Sequence, residues 1–116
     1  MILLVEDEER YREHIARVLT KAGYEVLQAA DGLEALSLLE KSKVDLVISD
    51  ILMPALNGYA LVARLRAKWP TMPVILTTGF LPPVKTMMNG SVDFIPKPNP
   101  ETLLDMIQRR TPPPSH

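Results

Sequence analysis

The 116-residue chain contains no cysteine. Disulfides, thiol catalysis and cysteine-based zinc sites are therefore excluded, and the composition is typical of a reducing compartment. The chain also lacks a strong charge of either sign, since its formal net charge is −1. Without a basic field it offers nothing to hold nucleic acid or an anionic membrane surface. We predict no direct binding to either.

Long apolar runs are missing as well. None approaches the roughly 20 residues that a bilayer-spanning helix needs. The first apolar stretch, Ile2–Val5, runs directly into acidic residues, which does not resemble a signal peptide. Neither G-x-x-x-x-G-K-[ST] nor G-x-G-x-x-G occurs, so nucleotide binding through those loops is not expected. We expect a soluble, cytoplasmic protein.

Short apolar runs alternate with helical spacing of apolar residues along one domain-sized chain. The predicted strands are Ile2–Val5, Glu25–Ala29, Leu46–Ser49, Val74–Thr77 and Asp93–Pro96. A helix is predicted after each of the first three strands and after the fifth. After the fourth strand, prolines and an Asn-Gly pair leave room for a short helix at most, over residues 84–88. This order predicts an α/β fold with a parallel sheet covered by helices on both faces.

Local signals mark several helix ends. Gly23 can end the first helix in a left-handed conformation. Asp31, with Glu34 three residues later, predicts a capped start of the second helix. Asn57-Gly58 is interpreted as a turn element. Pro100 suits the first position of the last helix.

A polar residue follows the apolar run at four of the strand ends. Glu6 and Asp7 follow the first strand, Asp50 the third, Thr78 the fourth and Lys97 the fifth. The carboxyl ends of parallel strands gather at one edge of a sheet. We therefore expect three acids, a hydroxyl and an amine to meet there. Each residue alone has an ordinary structural explanation, such as a helix cap or a turn, and only their combination is specific.

These groups together suit a divalent metal and a phosphoryl group. Carboxylates about 5 Å apart repel by roughly 3 kcal/mol per pair at an effective dielectric near 20. A hard cation such as Mg²⁺ offsets that repulsion and accepts carboxylate oxygens and water. Lys97 and Thr78 can hold phosphoryl oxygens, and Asp50 can act as an in-line nucleophile that forms an acyl phosphate.

The chain resembles the receiver domain of the response-regulator family, the phosphoacceptor half of two-component signalling. The matching segments are Leu3–Glu8, Asp50–Pro54 with Asn57-Gly58, Pro73–Gly79 and Asp93–Pro98. The resemblance implies a flavodoxin-like, doubly wound sheet of five parallel strands in the order 2-1-3-4-5.

The resemblance also implies a role for each acid. Asp50 is expected to accept a phosphoryl group from a phosphohistidine on a sensor histidine kinase or a phosphotransfer protein. Asp7 and Asp50 are expected to bind Mg²⁺ directly, together with the backbone carbonyl of Leu52. Glu6 is expected to act mostly through water.

By the same resemblance, Thr78 and Lys97 hold the phosphoryl oxygens. Thr78 is also expected to move toward the phosphate as a switch, with the ring of Phe94 turning inward behind it. The Lys97-Pro98 peptide occupies the position where the family carries a cis bond.

Two departures from the family pattern carry predictions. The stretch from Thr78 to Lys97 is shorter than usual and contains Pro82-Pro83. The helix between the fourth and fifth strands, which is the fourth helix of the family pattern, is therefore predicted to be short or irregular. Leu52 and Phe80 stand two residues after the acceptor and the switch threonine, on the route of attacking water. Apolar groups there are predicted to slow hydrolysis of the acyl phosphate.

We predict a receiver domain over residues 1–111 and a proline-rich tail or linker over 112–116. It would switch its affinity for an output protein or domain, as a monomer or weak dimer, free-standing or as part of a longer protein. One alternative is a phosphorylation-independent adaptor. Another is an aspartyl-phosphate phosphatase of the haloacid-dehalogenase type, although that chemistry usually needs an aspartate where Leu52 stands.

Overall fold

The computed structural model describes residues 1–51, 57–78, 92–96 and 100–110. Strands and helices alternate through most of this part of the chain. In chain order they are β1 (Ile2–Val5), α1 (Glu9–Lys21), β2 (Val26–Ala29), α2 (Gly32–Lys41), β3 (Leu46–Asp50), α3 (Gly58–Lys68), β4 (Val74–Thr78), β5 (Val92–Pro96) and α4 (Pro100–Arg110). The short helix predicted over residues 84–88 lies outside the described residues.

The five strands form one parallel sheet in the order β2-β1-β3-β4-β5. The predicted α/β class and strand order are thereby confirmed. In the centre of the sheet, Ile2 of β1 pairs with Val26 on one side and with Leu46 on the other. On the far side of β3, Asp50 pairs with Thr77 of β4. The end of β3 is therefore an interior position of the sheet.

Two apolar clusters cover the two faces of the sheet, because successive residues of a strand point to opposite faces. The cluster beneath α2 and α3 includes Leu3, Val5, Val47, Val74, Leu76, Ala35, Leu39, Leu61, Val62 and Leu65. The cluster beneath α1 and α4 includes Ile2, Leu4, Leu46, Ile48, Ile75, Ile15, Leu19, Leu103 and Ile107. Every residue of β1 and β3 is buried, which explains why β1 is apolar throughout and β3 is apolar from Leu46 to Ile48.

Two predicted helix-end signals are confirmed. Gly23 has a φ of 103°, a left-handed conformation that a residue with a Cβ adopts only at a cost. Asp31 caps α2, since its carboxylate accepts a hydrogen bond from the Glu34 amide at 2.8 Å. The Glu34 carboxylate in turn accepts from the Ala30 amide at 2.7 Å, one residue before the cap. Together these bonds fix the turn between β2 and α2.

The interpretation of Asn57-Gly58 as a turn element is corrected by the structure. Gly58 is already the first residue of α3, and Asn57 is its N-cap. The Asn57 side-chain oxygen accepts a hydrogen bond from the Ala60 amide at 2.9 Å. This bond satisfies one of the amides that a helix start leaves without a helical partner.

The described helices were also searched for a membrane span. Among the residues with assigned placement, no helix combines the length and the apolar character that crossing a membrane requires.

Candidate functional site

Three acids meet at the carboxyl edge of the sheet. One carboxylate oxygen from each of Glu6, Asp7 and Asp50 lies within 4.8 Å of the other two. The strand register explains the meeting, because Leu4 of β1 pairs with Ile48 of β3. Two residues further along both strands, Glu6 stands beside Asp50. The predicted convergence of these three acids is therefore confirmed.

The three acids differ in their access to solvent. Glu6 is 1% exposed and Asp50 is 6% exposed, whereas Asp7 is exposed. Burial weakens the screening between two carboxylates held together away from water, and a bound cation would offset their repulsion. An ion or group approaching from solvent would meet Asp7 first.

The donor set fits a magnesium ion. Magnesium prefers hard oxygen donors such as carboxylates, and one carboxylate oxygen from each of the three acids lies within 4.8 Å of the other two. Magnesium ordinarily takes one or two carboxylates and keeps several waters, and the exposed side of Asp7 leaves access for them.

Backbone hydrogen bonds fix the position of Asp50. The Ile51 amide donates to the Thr77 carbonyl at 2.9 Å, so the hydrogen bonds between β3 and β4 continue past Asp50. The Gly58 amide donates to the Ile51 carbonyl at 2.8 Å and ties the start of α3 to the same place. The Ser49 hydroxyl donates to the Asp50 carbonyl at 2.9 Å. The acid thus sits on backbone held from both sides.

Gly58 approaches this backbone closely. A Cβ at Gly58 would lie 2.7 Å from the Asp50 carbonyl oxygen and 2.8 Å from the Ile51 Cα. Both distances are far inside van der Waals contact, and both neighbouring atoms belong to the backbone. Only glycine therefore lets α3 begin directly against the end of β3.

The loop that carries the other two acids is held by its neighbours. The Glu6 amide donates to the Ala29 carbonyl at 3.0 Å, and the Glu6 carboxylate accepts from the Glu8 amide at 3.3 Å. Arg12 of α1 donates from Nη1 to the Glu6 carbonyl at 2.8 Å and from Nε to the Gln28 side-chain oxygen at 3.2 Å.

Sequence reasoning missed the contacts of Arg12. The available signal was weak: Arg12 is the fourth residue of α1, near the positive end of the helix dipole, where a cation is unfavourable.

The other predicted site residues are placed less completely. Thr78 is the last residue of β4, where its backbone pairs with Pro96, and Phe94 lies within β5. The side chains of both lie outside the described residues. So do the whole of Leu52, Phe80 and Lys97, and the Lys97-Pro98 peptide. Their roles stay predictions.

Residues 2–108 match the family model described as the response regulator receiver domain. The chain belongs to this family. Response regulator protein FleR of Pseudomonas aeruginosa is 34% identical over 112 residues, which are 93% of this chain and 24% of FleR. The first curated relatives are longer proteins, of whose length the chain spans between 11% and 44%. The receiver domain is thus one part of each of these relatives.

Solved receiver domains have the same fold. The receiver domain from hybrid histidine kinase CckA is 40% identical, with a TM-score of 0.81, covering 94% of this chain and 96% of that one. Response regulator protein TrrA of Thermotoga maritima is 30% identical, with a TM-score of 0.83, covering 93% of this chain and 96% of that one. The TrrA structure is a complex with Mg²⁺ and BeF.

Proposed function

We propose that this receiver domain accepts a phosphoryl group on Asp50, in the presence of Mg²⁺, from a phosphohistidine on a sensor histidine kinase or phosphotransfer protein. The modification would change the affinity of the domain for an output partner in two-component signal transduction. One observation carries the proposal. The Asp50 carboxylate is fixed at the end of an interior strand and shares a site within 4.8 Å with two further acids.

The structure favours Asp50 over its neighbours as the nucleophile. Asp50 belongs to β3, whereas Glu6 and Asp7 stand in the loop after β1. The Glu6 carboxylate is almost fully enclosed and already accepts a hydrogen bond from the Glu8 amide. A nucleophile on a strand keeps its direction, which is what in-line attack requires.

The transfer step forms one bond and breaks another. An Asp50 oxygen attacks the phosphorus as the phosphorus–nitrogen bond of the donor breaks, and the electron pair of that bond stays on the imidazole nitrogen, which takes up a proton. Bound magnesium would neutralise charge on the phosphoryl oxygens. Glu6, Asp7 and Asp50 would hold it, with the Leu52 carbonyl.

Lys97 and Thr78 complete the proposed site. The Lys97 ammonium would pair with one phosphoryl oxygen and the Thr78 hydroxyl would donate to another. Movement of Thr78 and of the Phe94 ring would then report the modification. Support comes from the polar residue types at the ends of β4 and β5.

The domain would modify itself rather than turn over an external substrate. Phosphatases of the haloacid-dehalogenase type usually need an aspartate two residues after the nucleophile, where this chain has Leu52. Its relatives include a response regulator and the receiver domain of a hybrid histidine kinase. Both a separate regulator and a segment of a kinase are therefore compatible parents. A monomer or weak dimer in the cytoplasm stays our prediction.

The test is incubation with a small-molecule phosphodonor and Mg²⁺, followed by intact mass. Wild type should gain the mass of one phosphoryl group, and Asp50→Asn should gain none. Asp105→Asn is the matched control, because Asp105 is an exposed carboxylate on α4. It should be modified as wild type is. Modification that persists in Asp50→Asn, or a wild type that stays unmodified with Mg²⁺ present, would contradict the proposal.

A second measurement separates the switch from an adaptor that ignores phosphorylation. Beryllofluoride, a phosphoryl mimic, is added with Mg²⁺ and backbone amide shifts are recorded. A switch predicts shifts that extend from Asp50 to Thr78 and Phe94. Shifts confined to Asp50 and its immediate neighbours would favour the adaptor.

A further inference from the structure

Arg12 links three parts of the molecule. From α1, its Nη1 donates to the backbone carbonyl of Glu6 at 2.8 Å, and its Nε donates to Gln28 of β2 at 3.2 Å. We propose that Arg12 is a positioning residue for the metal-binding acids, acting through the Glu6-Asp7 peptide. The inference rests on the proposed function, since it concerns the same site.

The geometry of the peptide bond explains how one contact can position two acids. The Glu6 carbonyl and the Asp7 amide belong to a single planar unit. A donor that fixes the carbonyl therefore also sets the direction in which the chain enters Asp7. The Glu6 amide is anchored separately to Ala29, and the Glu6 carboxylate accepts from the Glu8 amide. The bond from Arg12 adds an anchor at the backbone carbonyl of Glu6.

The guanidinium is itself held in place. It is a planar group whose donors have a fixed mutual geometry, so two bonds define its orientation. Gln28 accepts one of them, and Gln28 lies on β2, where it pairs with Leu4 of β1. Arg12 is only partly exposed. Arg12 therefore links the Glu6 carbonyl to an exposed side chain of the neighbouring strand β2.

Charge and positioning predict opposite effects on metal binding. A positive charge near the site repels Mg²⁺, so its removal alone would tighten binding, and more so at low ionic strength. Loss of positioning would instead weaken binding, because the carboxylates would have to be ordered by the metal itself. The sign of the change in Mg²⁺ affinity therefore distinguishes the two roles.

The experiment is a titration with Mg²⁺ alone, followed by the backbone amide shifts of Asp7 and Glu8. The variants are Arg12→Gln, which removes the charge and the planar guanidinium group, and Arg12→Lys, which keeps the charge but has a single donor group. Arg17→Gln is the matched control, because Arg17 is an exposed arginine on the same helix, five residues further along α1 than Arg12. Thermal unfolding midpoints are measured in parallel.

Arg12→Gln should weaken Mg²⁺ binding about tenfold, at the lower end of what loss of a partner behind a metal ligand costs. Arg12→Lys should fall between it and wild type, and Arg17→Gln should bind as tightly as wild type or slightly more so. If Arg12→Gln unfolds below the assay temperature, weakened binding in Arg12→Lys still supports the inference and unchanged binding still overturns it.

Binding by Arg12→Gln that equals or exceeds that of Arg17→Gln would overturn the role of Arg12 while leaving the proposed function intact. A wild-type chain that binds no Mg²⁺ would instead contradict the proposed function, and this inference would fall with it. The two failures are thus distinguishable in one data set.

Discussion

Three acidic side chains share the site, and they differ in their position on a strand or loop and in their exposure to solvent. Asp50 lies on a strand with neighbours on both sides, Glu6 is the first loop residue after β1, and Asp7 is exposed. The sequence could predict these residues, because an apolar run that stops at an acid is easily recognised. It could not predict the contacts of Arg12, since a side chain that bonds a backbone carbonyl leaves no pattern in residue types.

Leu52 and Phe80 carry a prediction at the residue scale. If apolar side chains there exclude water, Leu52→Asn with Phe80→Glu should shorten the half-life of the phosphorylated protein about tenfold, a drop of about 1.4 kcal/mol in the hydrolysis barrier. The loss of phosphoryl mass is followed after the donor is removed. Leu33→Asn is the control, since Leu33 is an apolar side chain that is 54% exposed on α2. An unchanged half-life in the double variant would refute this role.

At the scale of the elements, α3 is docked on β3 through Gly58. Alanine in place of a helical glycine normally stabilises a protein by roughly 0.5–1 kcal/mol. Here the added Cβ would meet the Asp50 carbonyl at 2.7 Å, so Gly58→Ala should instead destabilise by about 1–3 kcal/mol, as overpacking does. Urea unfolding measures the difference.

The control for that prediction is Ala63→Gly, at an exposed position of the same helix. It should cost about 1 kcal/mol from helix propensity alone. A Gly58→Ala protein as stable as wild type would show that α3 can shift away from β3 without penalty.

The bounds of the elements show what residue patterns can and cannot determine. The predicted strands differ from the observed ones by a residue at some ends: β3 includes Asp50 and β5 begins at Val92. Backbone pairing continues for as long as the neighbouring strand supplies partners, whatever the polarity of the side chain. An Asn-Gly pair fits both a turn and a capped helix start, so the residue types at Asn57 and Gly58 do not distinguish the two.

At the scale of the whole molecule, burial of Tyr24 should make the free energy of unfolding decrease with pH in the alkaline range. Tyr24 is 4% exposed, and burial raises the pKa of its phenol. The folded state therefore holds the proton more tightly than the unfolded state, whose tyrosines ionise near pH 10. The contribution of Tyr24 to the free energy of unfolding should be fully present below about pH 10 and should be lost as the pH rises through the folded-state pKa.

Tyr24→Phe should show a smaller loss of stability between about pH 9 and pH 11 than wild type, because the ionising group is gone. Denaturant unfolding at each pH gives the comparison, and the partly exposed Tyr11→Phe is the reference. Equal pH slopes for wild type and Tyr24→Phe would exclude Tyr24 as the group responsible.

The two-sided core was predictable in kind, because continuous apolar runs indicate strands covered on both faces. The order of the strands was not, since hydrophobic periodicity carries no information on which strands become neighbours. That order came from the resemblance to receiver domains, and the structure confirms it.

Each residue of β3 is enclosed whichever way it points, so the strand would remain well buried if it lost one residue between Leu46 and Ser49. The side chains after the lost residue would nevertheless point to the opposite face of the sheet. The carboxylate of Asp50 would then turn beneath α2 and α3, away from Glu6. Replacement of one aliphatic residue by another along β3 preserves the direction of the Asp50 side chain, whereas insertion or deletion of a single residue reverses it.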